Sequence, residues 1–357
     1  MSQKRIVVHL GLPKSGSSFF QAYLDGVAPR LKHRDVAAFI PREIRDYETV
    51  RRLTNRFGDG YCIHHLLEDA LRLKNFRRYV EDAVQGASGE MQSVREVVRQ
   101  EIEALVRQTP ESAIWISDEA MLHYMMPTRS IAHCGEYIAY ATKILEAAFG
   151  QWNPTIVLVV RRQDTYIESC YYQWVRLKGI PWGFRLYLAK DVNLARTDWF
   201  DLAERLSSVF GRDRIRLVPF ESVYASPATF ISNILKSGGL DIGVDEAALA
   251  YAQDAAYPAP SGAAIRLIRV AGLVSADWQT FNERAAAIER RFPRERYAPA
   301  RALTERQRRT ILAKMSESNE RLFDSYLADF PDYRGYYLGR HPVPATSLRQ
   351  RSSALSP

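Results

Sequence analysis

Short apolar runs alternate with longer stretches of helical periodicity along most of the chain. Arg5-Ile-Val-Val-His-Leu10 is bounded by Gly11 and Pro13, which predicts a buried strand ending in a tight loop. Phe19, Phe20, Tyr23 and Leu24 then recur at helical spacing, so a helix should start near Ser17. Asp35 to Ile40 predicts a second strand, stopped by Pro41. Ala113 to Ser117 predicts a third, Thr155 to Val160 a fourth and Arg214 to Phe220 a fifth. Strands that are apolar on both faces and separated by helical stretches predict an α/β fold with a parallel sheet of about five strands covered on both sides.

Between the second and third strands, Arg42 to Pro110 is rich in Arg, Glu and Leu with helical periodicity and a Gly-Ala-Ser-Gly break at Gly86 to Gly89, and reads as a helical insertion. After Phe220 the chain reads as helical throughout. One helix runs from about Ser226 to Lys236, another follows Ser261, and a long one spans Thr304 to Leu327 with Thr-Glu at its start. The segment from Pro342 to Pro357 has little apolar content and reads as a loose tail, which leaves 1–341 as one domain.

Composition narrows the class. The 357 residues are 46% apolar and 25% charged, ordinary globular values with enough aliphatic material for a sizeable core. No apolar run approaches the roughly 20 residues of a membrane-spanning helix, and no secretory signal precedes the first strand, so a soluble protein is expected. Three scattered cysteines, Cys62, Cys134 and Cys170, imply neither a disulfide framework nor a zinc site, and a cytoplasmic setting follows. The formal charge of +8 favours anionic partners without naming one.

The chemistry concentrates in the loop Gly11-Leu-Pro-Lys-Ser-Gly-Ser-Ser18, between the first strand and the first helix. Backbone N–H groups and the helix dipole make such a turn an anion site. Its glycines have Walker A spacing, but Ser17 stands where that motif needs lysine, and the loop's own lysine is Lys14. A plainer reading is a strand-to-helix turn with Ser17 or Ser18 as N-cap. The fourth strand ends in Arg161-Arg162, and Ser169 follows eight positions after Arg161. In an open parallel sheet ligands collect at the carboxyl ends of strands, so Arg161 should emerge on the same edge as the loop, where it and Ser169 can grip one phosphate. The plainer reading here is a surface arginine pair and a solvated serine.

This pair of motifs resembles the sulfotransferase family that uses 3′-phosphoadenosine 5′-phosphosulfate (PAPS). Pro13-Lys-Ser-Gly-Ser-Ser18 is similar to the family's 5′-phosphosulfate loop, and Arg161 with Ser169 matches its 3′-phosphate motif in residue type and spacing. Val218-Pro-Phe-Glu-Ser222, Pro260-Ser-Gly and Ser318-Asn-Glu-Arg-Leu322 resemble the bacterial branch. The resemblance implies a P-loop-like three-layer sandwich, PAPS as donor, and metal-free in-line transfer of the sulfuryl group to a hydroxyl or amine. Carried over, Lys14 stabilises the leaving phosphate, Pro13, Ser15, Gly16, Ser17 and Ser18 hold the 5′-phosphosulfate with it, Arg161 and Ser169 hold the 3′-phosphate, and Phe19 flanks the adenine. The alternative enzyme class is a P-loop kinase using ATP and magnesium, against which the serine at position 17 counts.

An attacking hydroxyl needs a general base. The third strand leads into Ser117-Asp118-Glu119. Glu119 is the first choice because bacterial members of the family commonly carry Ser-x-Glu there, His123 the second, and Asp118 and Glu43 remain open. His9 reads as a packed core histidine, and His64-His65 as structural or surface residues. The arginines between Arg284 and Arg309 alternate with glutamates, a solvated face rather than a nucleic-acid stripe. The acceptor, a carbohydrate or a small alcohol among the candidates, and the oligomeric state are not legible in the sequence.

Overall fold

The first strand, β1 (Arg5–Leu10), lies at the centre of a parallel sheet whose other members are β2 (Val36–Phe39), β3 (Ala113–Asp118), β4 (Thr155–Val160) and β5 (Ile215–Pro219), in the order β2-β3-β1-β4-β5. This is a computed structural model that describes residues 4–40, 89–118, 121–122, 134–190, 192–255 and 259–341. Register is continuous across the centre: Leu10 stands opposite Asp118 of β3 on one side and Leu158 of β4 on the other. The three strand ends therefore open onto one edge.

Twelve α-helices lie among the described residues: α1 (Ser17–His33), α2 (Gly89–Gln108), α3 (Cys134–Phe149), α4 (Gln163–Lys178), α5 (Phe184–Lys190), α6 (Trp199–Phe210), α7 (Pro227–Ser237), α8 (Glu246–Ala255), α9 (Gly262–Val274), α10 (Trp278–Arg291), α11 (Glu305–Ser325) and α12 (Pro331–Tyr337). Successive residues of a strand face opposite sides of the sheet. Ile6, Val8 and Leu10 accordingly join a core with α2, α3, α6 and the end of α11, whereas Val7 joins the opposite core with α1, α7 and α8. Both faces are covered, giving a three-layer α/β sandwich. A third cluster outside the sheet packs α4 against α5, α9, α10 and the start of α11.

The five predicted strands form within one or two residues of their expected ends, because each is a short, mainly apolar run stopped by Gly, Pro or a charged pair. Helix starts follow the capping chemistry: Ser226 accepts from Thr229 N ahead of Pro227, and Thr304 with Gln307 closes a capping box. Of the expected helical insertion, α2 forms after Gly89, while 41–88 lies outside the described residues, as does the tail 342–357. Among the described residues no helix is long and apolar enough to cross a membrane.

Candidate functional site

The loop after β1 is held at both ends. Gly11 N–H donates to Asp118 O at 2.8 Å, tying it to β3, and Phe20 N–H donates to Gly16 O at 3.0 Å as α1 begins. Within it, Ser15 N–H donates to Leu12 O at 3.2 Å and Ser17 Oγ donates to the same oxygen at 3.4 Å. Lys14 and Gly16 both adopt positive φ, 65° and 84°. Gly16 cannot readily be anything else, since a Cβ there would stand 3.0 Å from the Phe230 ring and 3.2 Å from that of Phe220. Left-handed residues on either side of Ser15 turn the backbone into the tight arch from which phosphate-binding nests are built.

This geometry takes the N-cap away from both serines. Neither Ser17 nor Ser18 is the N-cap: that position belongs to Gly16, which makes no side-chain cap hydrogen bond, and the first turn of α1 carries no acidic residue. A 17-residue helix thus presents the positive end of its dipole to the loop without a capping side chain. Ser15 is fully buried, and its hydroxyl has no hydrogen-bond partner among the described residues. A buried hydroxyl left unpaired costs about 1–3 kcal/mol, a cost that an oxyanion at the loop would relieve. Pro13 and Ser17 are buried, Lys14 is half-buried and Ser18 exposed.

Arg161 leaves the sheet at the end of β4, the strand next to β1, and reaches directly to the loop. Its Nη1 donates to Lys14 O at 2.7 Å, its Nε donates to Thr165 Oγ1 at 3.1 Å, and the guanidinium lies over the Phe220 ring at 4.5 Å. Trp199 Nε1 donates to the Arg161 carbonyl at 2.7 Å. The structure therefore brings the two sequence motifs within hydrogen-bond distance across 147 residues of chain. Ser169 is half-buried on α4, the helix that begins two residues after Arg161. Phe220 and Trp199 were not singled out as site residues from the sequence. The Val218–Ser222 segment was noted for its resemblance alone, and nothing local marks Trp199.

One expected contact is corrected. Phe19 is 3% exposed, sits in the core under the sheet and stacks on Phe230 with ring centroids 6.2 Å apart. It is a packing residue and offers no free ring face to an adenine, because its position on α1 points it at α7. For the proton acceptor, Glu119, His123 and Glu43 lie outside the described residues, while Asp118 ends β3 as a buried residue at the rim.

Two other titratable groups nearby are removed from the chemistry by burial. Cys170, one residue after Ser169, is buried and its thiol is pushed up to about 12, so it stays protonated. His9 is fully buried, with Nδ1 2.8 Å from Ser117 Oγ and the ring edge-on to Phe20, and desolvation lowers its pKa to about 3. The unfolded chain takes up a proton at this histidine below about 6.5 and the native state does not. Stability should therefore fall with falling pH between about 6.5 and about 3, by at most about 1.4 kcal/mol per unit from this group. Glu221, raised by burial, works in the opposite sense, losing stability as pH rises above the ordinary carboxyl range. Urea unfolding at pH 7, 6 and 5 checks this: His9→Gln should flatten the acid limb, and an unchanged slope would place the titration elsewhere.

Residues 7–245 match the model of the sulfotransferase family, a stretch that takes in the loop, Arg161 and Ser169. Among solved structures the chain is similar to a sulfotransferase from Alicyclobacillus acidocaldarius, at 14% identity and a TM-score of 0.35, over 81% of this chain and 96% of that one. No curated protein matches it.

Proposed function

As the chain belongs to the sulfotransferase family, we propose that it moves the sulfuryl group from PAPS to a hydroxyl or amine, without a metal, using the rim formed by the β1 loop and the end of β4. The observation that carries this reading is the contact between Arg161 and Lys14 O, which puts a fixed guanidinium beside a phosphate-type loop. A bis-phosphorylated adenosine has two anionic ends a short distance apart, and this rim offers two cationic or N–H-rich positions side by side. The unpaired Ser15 hydroxyl fits the same donor, since one phosphate oxygen would supply the missing acceptor.

In this reading PAPS supplies an activated sulfuryl group on a phosphate leaving group. Pro13 to Ser18 hold the 5′ end, and the Lys14 charge is set where negative charge grows on the departing oxygen. Arg161 and Ser169 hold the 3′-phosphate, the group that separates PAPS from ATP. Ser17 leaves the loop without the lysine that an ATP-magnesium site needs at that position. Glu119, with His123 second, takes the acceptor's proton.

A thermal-shift comparison separates the donor classes. Adenosine 3′,5′-bisphosphate (PAP), the desulfated product, should raise the melting temperature with a chelator present, as any ligand that binds only the native state does. ATP with magnesium stabilising the protein more than this nucleotide would overturn the reading in favour of a kinase.

A further inference from the structure

The arginine at the rim is held by parts of the chain far from it in sequence. Where β4 ends, three backbone groups of residues 160–162 are each taken up by a buried side chain from a different element. Tyr337 Oη of α12 donates to Val160 O at 2.9 Å, Trp199 Nε1 of α6 donates to Arg161 O at 2.7 Å, and Arg162 N–H donates to Glu221 Oε1 at 3.0 Å. Tyr337, Trp199 and Glu221 are all fully buried. Buried backbone groups must be paired, so each of these bonds fixes the strand end as well as satisfying it.

The same C-terminal segment grips the next residue. Arg162 is bidentate on Asp164 at 2.7 Å and donates to Tyr336 O at 3.3 Å and His341 O at 3.1 Å. Arg308 of α11 reaches Asp164 at 3.0 Å and Glu168 at 2.7 Å on the first turns of α4. Asn319 completes the tie, with Nδ2 donating to Tyr337 O at 2.9 Å while its Oδ1 accepts from Gln163 Nε2 at 2.7 Å. The segment that does this, residues 331–341, lies beyond the family-matched stretch 7–245.

We propose that residues 331–341 are the positioning device of the rim: Tyr337, assisted by Trp199 and Glu221, fixes the backbone of residues 160–162 so that the Arg161 guanidinium is held against Lys14 O. These are positioning residues that act through Arg161. The inference rests on the assignment of Arg161 to the 3′-phosphate. A site built on rigid neighbours loses affinity when its anchor shifts by about an ångström, and removing one hydroxyl from Val160 O frees the anchor without touching it.

The test is calorimetric titration of PAP and of adenosine 5′-phosphate into the intact chain and three variants. Tyr337→Phe keeps the ring against Phe323, 5.3 Å away, and removes only the hydroxyl. It should weaken the bisphosphate about fivefold or more and leave the monophosphate within about twofold. Arg161→Ala, run alongside, should abolish the discrimination between the two nucleotides. If it does and Tyr337→Phe leaves both affinities unchanged, or lowers them equally as a general loss of packing would, the positioning role is wrong. If Arg161→Ala itself preserves the discrimination, the premise fails and takes the proposal with it. Should Tyr337→Phe not fold, Trp199→Phe, which deletes the donor to Arg161 O, decides by the same ratio.

Discussion

Lys14→Ala should lower kcat by about 100-fold or more while changing the affinity for PAP by no more than about threefold. The reason is differential binding: a cation beside the departing oxygen gains most when negative charge develops there, and contributes less to holding a ground-state nucleotide. The backbone argues that the substitution is clean. Lys14 sits at φ 65°, a conformation that alanine tolerates no better and no worse, so the arch from Leu12 to Gly16 should survive with its hydrogen bonds. Arg161 bonds to the Lys14 carbonyl rather than to its side chain, and that bond is also retained. Single-turnover sulfuryl transfer combined with equilibrium binding of PAP measures both quantities. Equal losses in turnover and affinity would make Lys14 a binding residue only.

Arg161→Ala should weaken PAP by about 10-fold to 100-fold and adenosine 5′-phosphate by far less, about threefold at most. A charge-assisted bond to a phosphate is among the stronger polar contacts, and here the guanidinium is pre-set by Thr165, Phe220 and Lys14 O, so little side-chain freedom remains to be lost on binding. The small effect on the monophosphate has its own cause. Removing Nη1 deletes one hydrogen bond to Lys14 O and loosens the loop slightly, which touches the 5′ end as well. Titration of both nucleotides reads the ratio directly. A uniform fall would assign Arg161 to bracing the loop and remove it from the 3′ subsite.

Much of the scaffold was legible because its signals are local. Ile156-Val-Leu-Val-Val160 has no polar position to expose, so it had to be a strand buried on both faces, and the arginines that follow had to sit at its end. The glycine spacing after β1 marked a tight strand-to-helix turn in the same way. The plainer alternative of a serine N-cap does not hold: Gly16 takes that position in αL geometry, where a side chain would also crowd Phe220 and Phe230, two rings more than 200 positions away. Phe19 failed for a related reason: helical spacing identifies a face, but not which of its residues meets α7. Trp199 and Tyr337 had no local signature, and Glu221 was marked only by the family resemblance of its segment, until the sheet brings β4 beside them.

The order of residues by itself determined the strands, the helix faces and the identity of the cations, since backbone preference and burial periodicity act over a few neighbours. Which cation stands beside which loop was decided only by the tertiary structure. Strand pairing placed β4 against β1, and the closure of α6, the segment after β5 and α12 around the end of β4 set Arg161 to within a hydrogen bond of Lys14. Contacts of that kind are selected by the cooperative satisfaction of buried backbone groups across distant segments, and no window of sequence contains both halves of them.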